Sequence, residues 1–370
     1  MTVIFFSNSI WGLKNYRDKF IRGLISKGFK VILVSPYSEN DYGFSDIGCE
    51  IKYIYLSNKG KNIFIDIKYI FQVFLLIKKI KPKFIFNYTI KPVIYVSLAS
   101  RFYKNINIIN TITGIGGVFL KRNMLRKIVI LLYKISQTNV KKIFFQNDDD
   151  LRFFLEKKII AIDKAYRVAG SGIDLKEFLP QPLLNTEKLK FLYIGRLLKY
   201  KGINNYLEAA EKLLKNNKNL EFNIVGQIDI NDSNSIKKSE LDCFIDNNIG
   251  INYYGNVDNV KDYIKHSHCI VLPSQYREGV PRSLLEACAM SRAVITTNSV
   301  GCKDVIDENK NGYLCEINNT NDLINKITKY INLSFSEKEN MGKNSRLRMK
   351  KYFDVNSVLI KYYKVVNELT

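Results

Sequence analysis

The segment Pro273–Met290, PSQYREGVPRSLLEACAM, is the part of the sequence from which the fold can be worked outward. A run of apolar residues typical of a strand, His268–Leu272, leads into this segment and stops at a proline. Pro281 fits the first position of a helix, because its missing N–H has no intrahelical partner to lose and its φ is already helical. The residues after it supply a compact apolar face, so the segment predicts a strand, a loop and a helix.

Two glutamates flank the predicted start of this helix. Glu278 comes just before the helix N-terminus, and Glu286 lies about a turn and a half inside the helix. Gly279 leaves room for a ligand close to the backbone, and the free N–H groups of the first turn favour an anion. This arrangement suits a ligand with hydroxyl groups at both ends and a phosphate between them, as a nucleotide sugar has. The alternative is an ordinary strand, loop and capped helix with two solvated acids.

The overall composition is that of a globular protein with two domains. The 370 residues are more than a single core usually needs. Hydrophobic residues make up 46% and charged residues 25% of the chain, which is ordinary for a soluble protein. The six cysteines show no metal-ligand spacing and indicate reduced thiols. Met1–Phe6 reads as a strand and has no basic region typical of a signal peptide. We therefore expect a cytoplasmic protein.

The positive charge of the chain is concentrated in its first half. The net charge is +22, and the stretch from Ile51 to Asn147 contains 18 Lys or Arg residues and one acid, Asp66. A field of this sign attracts polyanions or an anionic membrane. A nucleic-acid-binding protein is one interpretation, but no recognised nucleic-acid motif is present. Another interpretation is a lysine-rich chain whose lysines are simply solvated. This interpretation explains the total net charge better than the concentration of that charge in one region.

Residues 62–81 form the longest apolar stretch of this basic region and predict a helix with a basic C-terminal end. The stretch falls short of the ~20 apolar residues that a membrane-spanning helix needs. One alternative is a helix packed on a sheet. The other is an interfacial helix that dips into lipid headgroups while its lysines meet anionic lipid. In that case we expect salt-sensitive binding to anionic membranes through Lys78, Lys79, Lys81 and Lys83. The two alternatives are compatible if one face of the helix packs on the sheet and the other face is exposed.

A glycine-rich loop follows the predicted strand Asn107–Asn110. Loops at the carboxyl ends of strands bind ligands in open α/β sheets. The candidate ligand contacts here are Thr113 and the backbone N–H groups of Gly114, Gly116 and Gly117.

Two further elements are predicted before the first domain ends. Lys121–Gln137 reads as a basic amphipathic helix. The run Asn147-Asp148-Asp149-Asp150 resembles an Asp-x-Asp metal site, but a helical pattern follows at once. This pattern favours Asn147 as a helix cap with acids in the first turn.

A second series of alternating strands and helices starts at Leu189, after a polar linker with two prolines, Pro180–Glu187. Its first strand leads into the cationic loop Gly195–Gly202. An arginine fork at Arg196 and a point charge at Lys201 suit a diphosphate bound at a strand end. The sequence thus predicts a phosphate-binding loop that complements the glutamate pair.

The cationic loop and the glutamate pair, with Ala293–Thr297 and Val300–Cys302 after them, resemble the donor site of family 4 retaining glycosyltransferases. These enzymes have the GT-B fold, an α/β architecture with two Rossmann-like domains facing a cleft and a C-terminal helix that crosses back to the first domain. The chain is most similar to bacterial enzymes that extend polyprenyl-diphosphate-linked sugars, such as N-acetylgalactosaminyl transferases. The resemblance implies an acceptor and membrane-facing domain over residues 1–180 plus 355–370, and a donor domain over 188–352.

The resemblance also implies roles for individual residues. Arg196 and Lys201 would hold the donor diphosphate. Glu278 would orient the donor sugar, and Glu286 would bind the ribose hydroxyls. Further donor contacts are expected from Gly279, Val280, Pro281, Ser283, Leu284, Asn256 and Val257. Similar enzymes have an Asn/Phe-Arg pair near the first helix, which makes Asn15 and Arg17 candidates for the acceptor side, together with the glycine-rich loop. The alternative for Arg17 is an ordinary surface arginine on the first helix.

The expected partners are a nucleotide sugar, in the first place a UDP-sugar, a polyprenyl-diphosphate-linked acceptor and an anionic membrane surface, and not nucleic acid. The expected location is peripheral, on the inner face of the plasma membrane. No metal or other cofactor is expected, because basic side chains neutralise the diphosphate. Two alternatives stay open: a non-catalytic nucleotide-sugar-binding protein, and a sugar-nucleotide epimerase of the same fold.

Overall fold

The computed structural model describes residues 1–57, 62–119 and 123–370. They form two compact units. The first unit contains Met1–Ser171 and Val358–Thr370, and the second contains Gly172–Ser357. The chain therefore completes most of the first unit, builds the second, and returns to the first with its last residues.

The change of unit lies ahead of the predicted junction at residues 180–187. The buried Arg346 donates hydrogen bonds of 2.9 and 2.6 Å to the carbonyl oxygens of Leu175 and Phe178. The fully buried Arg292 donates to the carbonyl oxygens of Gln181 and Pro182. These two guanidinium groups satisfy carbonyl oxygens of an irregular segment, so residues 175–182 are part of the second unit rather than a free connection.

The first unit is a seven-stranded parallel sheet, in the order β3-β2-β1-β4-β5-β6-β7, with helices on both faces. Its five inner strands are largely apolar and buried on both sides, as expected for parallel sheets covered by helices, whereas the two edge strands are partly exposed. The elements are β1 (Thr2–Phe6), α1 (Ile10–Ser26), β2 (Lys30–Ser35), β3 (Glu50–Tyr53), α2 (Ile63–Ile80), β4 (Phe84–Tyr88), α3 (Ile90–Ala99), β5 (Asn107–Ile112), α4 (Met124–Ser136), β6 (Lys142–Phe145), α5 (Asp148–Glu156) and β7 (Ala165–Arg167).

Several predicted boundaries in this unit are confirmed. The Asn62 side chain caps α2, accepting from the N–H groups of its first turn. Asn147 caps α5 by accepting a 2.7 Å hydrogen bond from the N–H of Asp150. The predicted start of the next basic helix at Lys121 lies outside the described residues, and the structure shows α4 beginning after its cap, Asn123.

The second unit is a six-stranded parallel sheet in the order β10-β9-β8-β11-β12-β13. Its strands and helices again alternate along the chain, which places helices over both faces. The elements are β8 (Leu189–Ile194), α6 (Ile203–Asn216), β9 (Leu220–Val225), α7 (Lys238–Asn247), β10 (Ile251–Tyr253), α8 (Val260–Lys265), β11 (Cys269–Leu272), α9 (Arg282–Ala289), β12 (Ala293–Thr297), β13 (Gly312–Cys315), α10 (Thr320–Ile331) and α11 (Phe335–Arg348). The last helix of the chain, α12 (Val355–Leu369), belongs to the first unit from Val358 onward.

Helix α12 packs on the first unit. Tyr362 is buried there, its ring stacked on Phe144 of β6 with 4.0 Å between ring centroids. The Tyr362 hydroxyl lies 2.8 Å from the hydroxyl of Thr111, at the end of β5. This helix shares its core with α1, on the face of the sheet opposite α2, α3 and α4. Within the described residues, none of the helices combines the length and the hydropathy that a membrane-spanning helix needs.

We predict that Tyr362→Ala lowers the free energy of unfolding by about 3–5 kcal/mol, because it removes a fully packed aromatic ring and leaves a cavity. Ile360→Ala on the same helix is the matched control, since the Ile360 side chain is exposed. The control should change stability by less than about 0.5 kcal/mol. Urea denaturation measures both variants, and equal losses would show that α12 is not held by this contact.

Candidate functional site

The predicted donor residues come together at the carboxyl edge of the second sheet. Because its strands are parallel, the loops after neighbouring strands β10, β9, β8 and β11 meet at one edge, where α/β sheets bind ligands. The loop after β8 contains Arg196 and Lys201, and the loop after β11 contains Glu278. The N–H of Gln275 in the second loop donates 2.8 Å to the carbonyl oxygen of Tyr200 in the first.

Lys201 and Glu278 form a direct ion pair. The Nζ of Lys201 lies 2.5 Å from Oε1 of Glu278, and the two side chains are only 17% and 13% exposed. The hydroxyl of Ser274 also lies within reach of the same oxygen, at 3.4 Å. The glutamate is therefore not a solvated first-turn acid. The sequence alone could only place Lys201 and Glu278 on separate loops. The structure brings their charged groups together in a position from which water is largely excluded.

Close backbone contacts hold these two loops in place. Gly202, with φ +80°, lies against the carbonyl group of Pro273, where an added Cβ would collide. Gly301, with φ +84°, lies in the same way against the carbonyl oxygens of Glu278 and Gly279. Only glycine combines a left-handed φ with such an approach. The predicted Val300–Cys302 segment thus acts as a support for the Glu278 loop.

Tyrosines pack around the ion pair. The buried Tyr193 donates a 3.0 Å hydrogen bond to the carbonyl oxygen of Arg196. Tyr200 stacks on Tyr276 with 4.9 Å between ring centroids, and burial raises the pKa of Tyr200 to about 12. Tyr193 and Tyr200, whose pKa values burial raises, therefore stay protonated at neutral pH. The Arg196 side chain itself is exposed, so its guanidinium is open to a ligand.

Helix α9 begins one residue later than predicted. Pro281 has ψ 123°, outside the helical range, and occupies the N-cap position, with the helix running from Arg282. The expectation that Pro281 is the first helical residue is therefore wrong by one position. A proline suits this place as well, because it needs no N–H there. The side chain of Ser283 is partly exposed in the first turn, while that of Leu284 is completely buried.

Glu286 is paired with a residue that the sequence analysis did not single out. The Nε of Arg282 lies 2.8 Å from Oε1 of Glu286, and the side chains are 16% and 12% exposed. The spacing of four residues on one helix was the available signal. Burial raises the pKa of the Glu286 carboxyl, although the neighbouring Arg282 lowers it in part.

The remaining donor candidates lie in the same set of loops. Gly279 and Val280 are buried between Glu278 and α9. Asn256 and Val257 follow β10, and Asn256 is exposed. The carbonyl oxygen of the preceding Gly255 accepts a 2.8 Å hydrogen bond from the N–H of Gly226, which ties this loop to the end of β9.

Asn15 and Arg17 lie on α1 in the first unit. The Asn15 amide donates 2.9 Å to the carbonyl oxygen of Trp11. Arg17 is only 5% exposed, and its guanidinium lies 4.5 Å from the ring centroid of Tyr88 and 5.7 Å from that of Tyr362. Arg17 is thus no surface arginine. It is a buried cation among aromatic rings, and no carboxylate of the described residues forms an ion pair with it.

The glycine-rich loop is at the carboxyl end of β5, as the sequence predicts. Gly114 has φ +101° and Gly116 φ +77°, and a short 3₁₀ helix begins at Gly117. Thr113 is half-buried beside them. At the end of the neighbouring strand β4, Thr89 has φ +69°, which is uncommon for a β-branched residue. Strained backbone of this kind concentrates at functional sites.

Residues 3–147 match the family model described as glycosyl transferase 4-like, and residues 174–348 match the one described as glycosyl transferases group 1. Together the two models account for most of the chain. The chain is a glycosyltransferase. The group 1 match, residues 174–348, includes every predicted donor residue. The 4-like match, residues 3–147, includes every predicted acceptor residue.

Two relatives of this glycosyltransferase are named for undecaprenyl-diphosphate-linked sugars. The chain is 25% identical, over all of its length and 99% of the relative, to N,N'-diacetylbacillosaminyl-diphospho-undecaprenol alpha-1,3-N-acetylgalactosaminyltransferase of Campylobacter jejuni. It is 24% identical to UDP-Gal:alpha-D-GlcNAc-diphosphoundecaprenol alpha-1,3-galactosyltransferase of Escherichia coli, over 71% of the chain and 70% of the relative.

The fold agrees with that of solved GT-B structures. Sucrose-phosphate synthase from Thermosynechococcus elongatus superposes with a TM-score of 0.84 at 17% identity, covering all of this chain and 99% of that one. Such a likeness concerns the fold alone. It confirms the predicted α/β architecture of two Rossmann-like halves.

The raised pKa of Glu286 predicts how stability depends on pH. A carboxyl whose folded-state pKa exceeds its unfolded value stabilises the protein below the unfolded pKa, and this contribution is lost as pH rises through the folded pKa. Glu286→Gln removes the titration but can still accept from Arg282. We expect the stability of the original protein, relative to Glu286→Gln, to fall as the pH is raised from 4.5, the ordinary pKa of a glutamate, toward neutral pH. Urea denaturation across this range checks it; a difference that rises with pH would contradict the assignment.

Proposed function

We propose that this glycosyltransferase moves a sugar, with retention and in α linkage, from a UDP-sugar to a polyprenyl-diphosphate-linked acceptor. The donor is UDP-GalNAc, UDP-GlcNAc or a UDP-hexose. The product belongs to a bacterial surface polysaccharide, such as O-antigen or capsule, or to a related glycan. The observation that carries this proposal is the Lys201–Glu278 pair beside the exposed Arg196 at the carboxyl edge of the second sheet.

Arg196 and Lys201 act on the leaving diphosphate. An ammonium group has three N–H donors, so Lys201 can hold Glu278 and a phosphate oxygen together. The exposed guanidinium of Arg196 offers a planar fork for a second phosphate oxygen. As the bond to the sugar breaks, negative charge grows on the diphosphate. Preorganised cationic groups in such a position are worth ~3 kcal/mol or more of transition-state stabilisation.

The two glutamates bind the two ends of the donor. Glu278 is fixed by Lys201 through one carboxylate oxygen, and it orients the transferred sugar by accepting from its hydroxyl groups. Glu286 is held by Arg282 through Oε1, and it accepts from the ribose hydroxyls. Each carboxylate can accept several hydrogen bonds. Buried acceptors of this kind discriminate strongly for the hydroxyls they bind.

The transfer itself breaks the bond between the anomeric carbon and the diphosphate oxygen and forms a bond from that carbon to the acceptor oxygen. The acceptor hydroxyl loses its proton to an oxygen of the departing diphosphate, on the same face of the sugar. The configuration at the anomeric carbon is therefore retained, and UDP leaves with the proton. Glu278 is not a covalent nucleophile in this scheme, because the acceptor oxygen itself attacks the anomeric carbon on the face that the diphosphate leaves.

The first unit takes the acceptor. The names of the two relatives support a lipid-linked diphosphate as its acceptor. A buried guanidinium without a carboxylate partner carries a large desolvation penalty, and an anionic group close to Arg17 would offset it. The glycine-rich loop at the same edge of the first sheet supplies further hydrogen-bond donors through Thr113 and the backbone N–H groups of Gly114, Gly116 and Gly117. Asn15 on α1 adds its side-chain amide. The lipid acceptor implies a peripheral enzyme on the inner face of the plasma membrane.

A substrate screen tests this function. The full-length protein is incubated with UDP- and GDP-sugars and short-chain polyprenyl-diphosphate sugars, and the products are identified by mass. We expect one UDP-sugar to give a product that is larger by one sugar residue. We also propose that no metal is required, so the rate should be unchanged in EDTA. If calorimetry finds no sugar nucleotide that binds, the proposal fails.

Glu278→Ala should lower the turnover number by about 100-fold or more, since an interaction made in the transition state is removed. UDP binding, measured by calorimetry, should change little, because this glutamate contacts the sugar and not the nucleotide. Arg196→Gln should instead weaken UDP binding by about tenfold or more, because one charged hydrogen bond is lost.

Glu211→Ala is the control for these variants, because Glu211 pairs with Lys215 on one helix, away from the strand ends. It should keep full activity. A melting curve of each variant shows whether the unpaired Lys201 unfolds the site. Near-normal transfer by a folded Glu278→Ala protein would show that the role given to this residue is wrong.

A further inference from the structure

The exposed surface of α2 carries a continuous apolar stripe. Its inner side is built into the core through the buried side chains of Tyr69, Val73 and Ile77. The outer side repeats large apolar residues every four positions, and Phe64 is 80% exposed beside them. The stripe on the outer side consists of Ile63, Phe64, Ile67, Phe71 and Leu75.

Helix α4 carries a second stripe of the same kind. Tyr133 and Ser136 face the core, whereas the large apolar residues at intervals of three or four on the outer side are exposed. These are Met124, Ile128, Leu131 and Ile135. The fold does not need either stripe, because both helices already bury their inner sides in one shared core.

The two stripes lie on the same side of the first sheet. Helix α3 packs against both α2 and α4, and its own side chains are buried or half-buried. The outer layer is therefore formed by α2 and α4. Between them in sequence, Phe102 is 79% exposed and packs edge-on against Phe74 of α2, with 6.0 Å between ring centroids. Exposed apolar areas of this extent mark interaction sites.

The charges around the stripes are positive. Exposed lysines lie among the apolar residues, namely Lys68, Lys78 and Lys79 on α2 and Lys127 and Lys134 on α4. The single acid of the region, Asp66, is turned inward, with Lys91 Nζ and the Tyr95 hydroxyl of α3 each 2.8 Å from its oxygens. Its charge is therefore compensated beneath the surface.

The combination of exposed apolar side chains and exposed lysines indicates which kind of partner binds this surface. A second copy of the chain would bring lysines against lysines, and like charges across an interface oppose association. An anionic bilayer complements both features, because acyl chains accept the apolar side chains while headgroups meet the lysines. The helices would lie in the plane of the interface, as amphipathic helices do.

We infer that α2, Phe102 and α4 form a membrane-contact surface that inserts its apolar side chains into the headgroup region of an anionic bilayer. The inference rests on the proposed lipid-linked acceptor, and it assigns the membrane-facing part of the enzyme to these elements. Two helices inserted side by side also fix the orientation of the first unit on the bilayer, which a single helix would leave free to rotate about its axis.

Vesicle flotation tests this surface. The full-length protein is mixed with vesicles of phosphatidylcholine alone or of phosphatidylcholine with phosphatidylglycerol, at low and high salt. We expect binding to the anionic vesicles that salt weakens. Phe64→Ser/Phe71→Ser on α2 and Ile128→Ser/Leu131→Ser on α4 should each reduce the bound fraction by about tenfold or more, since two large apolar groups leave the bilayer. Lys78→Glu should reduce it by about fivefold or more.

The matched control is Ile230→Ser/Ile249→Ser, which removes two exposed isoleucines from the second unit and should leave binding unchanged. If both stripe variants bind vesicles like the original protein, the surface is not a membrane contact. If instead the original protein dimerises in sedimentation and the stripe variants do not, with no vesicle binding by any of them, the stripes are an interface between copies and the inference is overturned.

Activity separates this inference from the proposed function. With a short, water-soluble prenyl-diphosphate acceptor and no vesicles, the stripe variants should keep the turnover of the original protein. With a long-chain acceptor in anionic vesicles they should lose most of it. If the original protein transfers a sugar to none of the acceptors, the proposed function is refuted. Vesicle binding would still show whether the membrane-contact surface exists.

Discussion

The contact between Lys201 and Glu278 is the interaction on which the rest of the site depends. Two opposite charges at 2.5 Å and mostly excluded from water attract each other strongly, but each one alone would be costly to bury. The surrounding structure therefore has to keep both loops in register. Gly202 and Gly301 do this through close backbone contacts that any larger residue would prevent. The fixed pair places an ammonium group and a carboxylate side by side at the carboxyl edge of the second sheet.

The two units use one architecture for different electrostatic tasks. In the second unit, each of the two glutamates at the strand ends is paired with a cation, Lys201 or Arg282. In the first, cations greatly outnumber acids, and Arg17 is buried without a carboxylate partner among the described residues. This asymmetry agrees with the proposed function, in which the second unit binds the donor diphosphate and the first unit meets an anionic acceptor.

Local patterns were sufficient for most of the fold. Apolar runs ending at proline or glycine predicted the strands, and Asn147 was recognisable as a cap because its side chain satisfies a free N–H group at a helix start. The position of Pro281 was missed by one residue, since a proline is compatible with both the N-cap and the first helical position. The Arg282–Glu286 pair was missed as well, although its spacing on one helix was visible.

The sequence by itself determined the alternation of strands and helices, the family, and the loops in which the cationic and acidic residues lie, because these follow from short-range periodicity and motif spacing. Only the tertiary structure decided that Lys201 reaches Glu278, that Arg17 is buried between tyrosines, and that the apolar residues of α2 and α4 divide into a core side and an outer side. Such facts depend on which distant segments pack together. Side chains far apart in sequence acquire their partners and their exposure only when the parallel strands align.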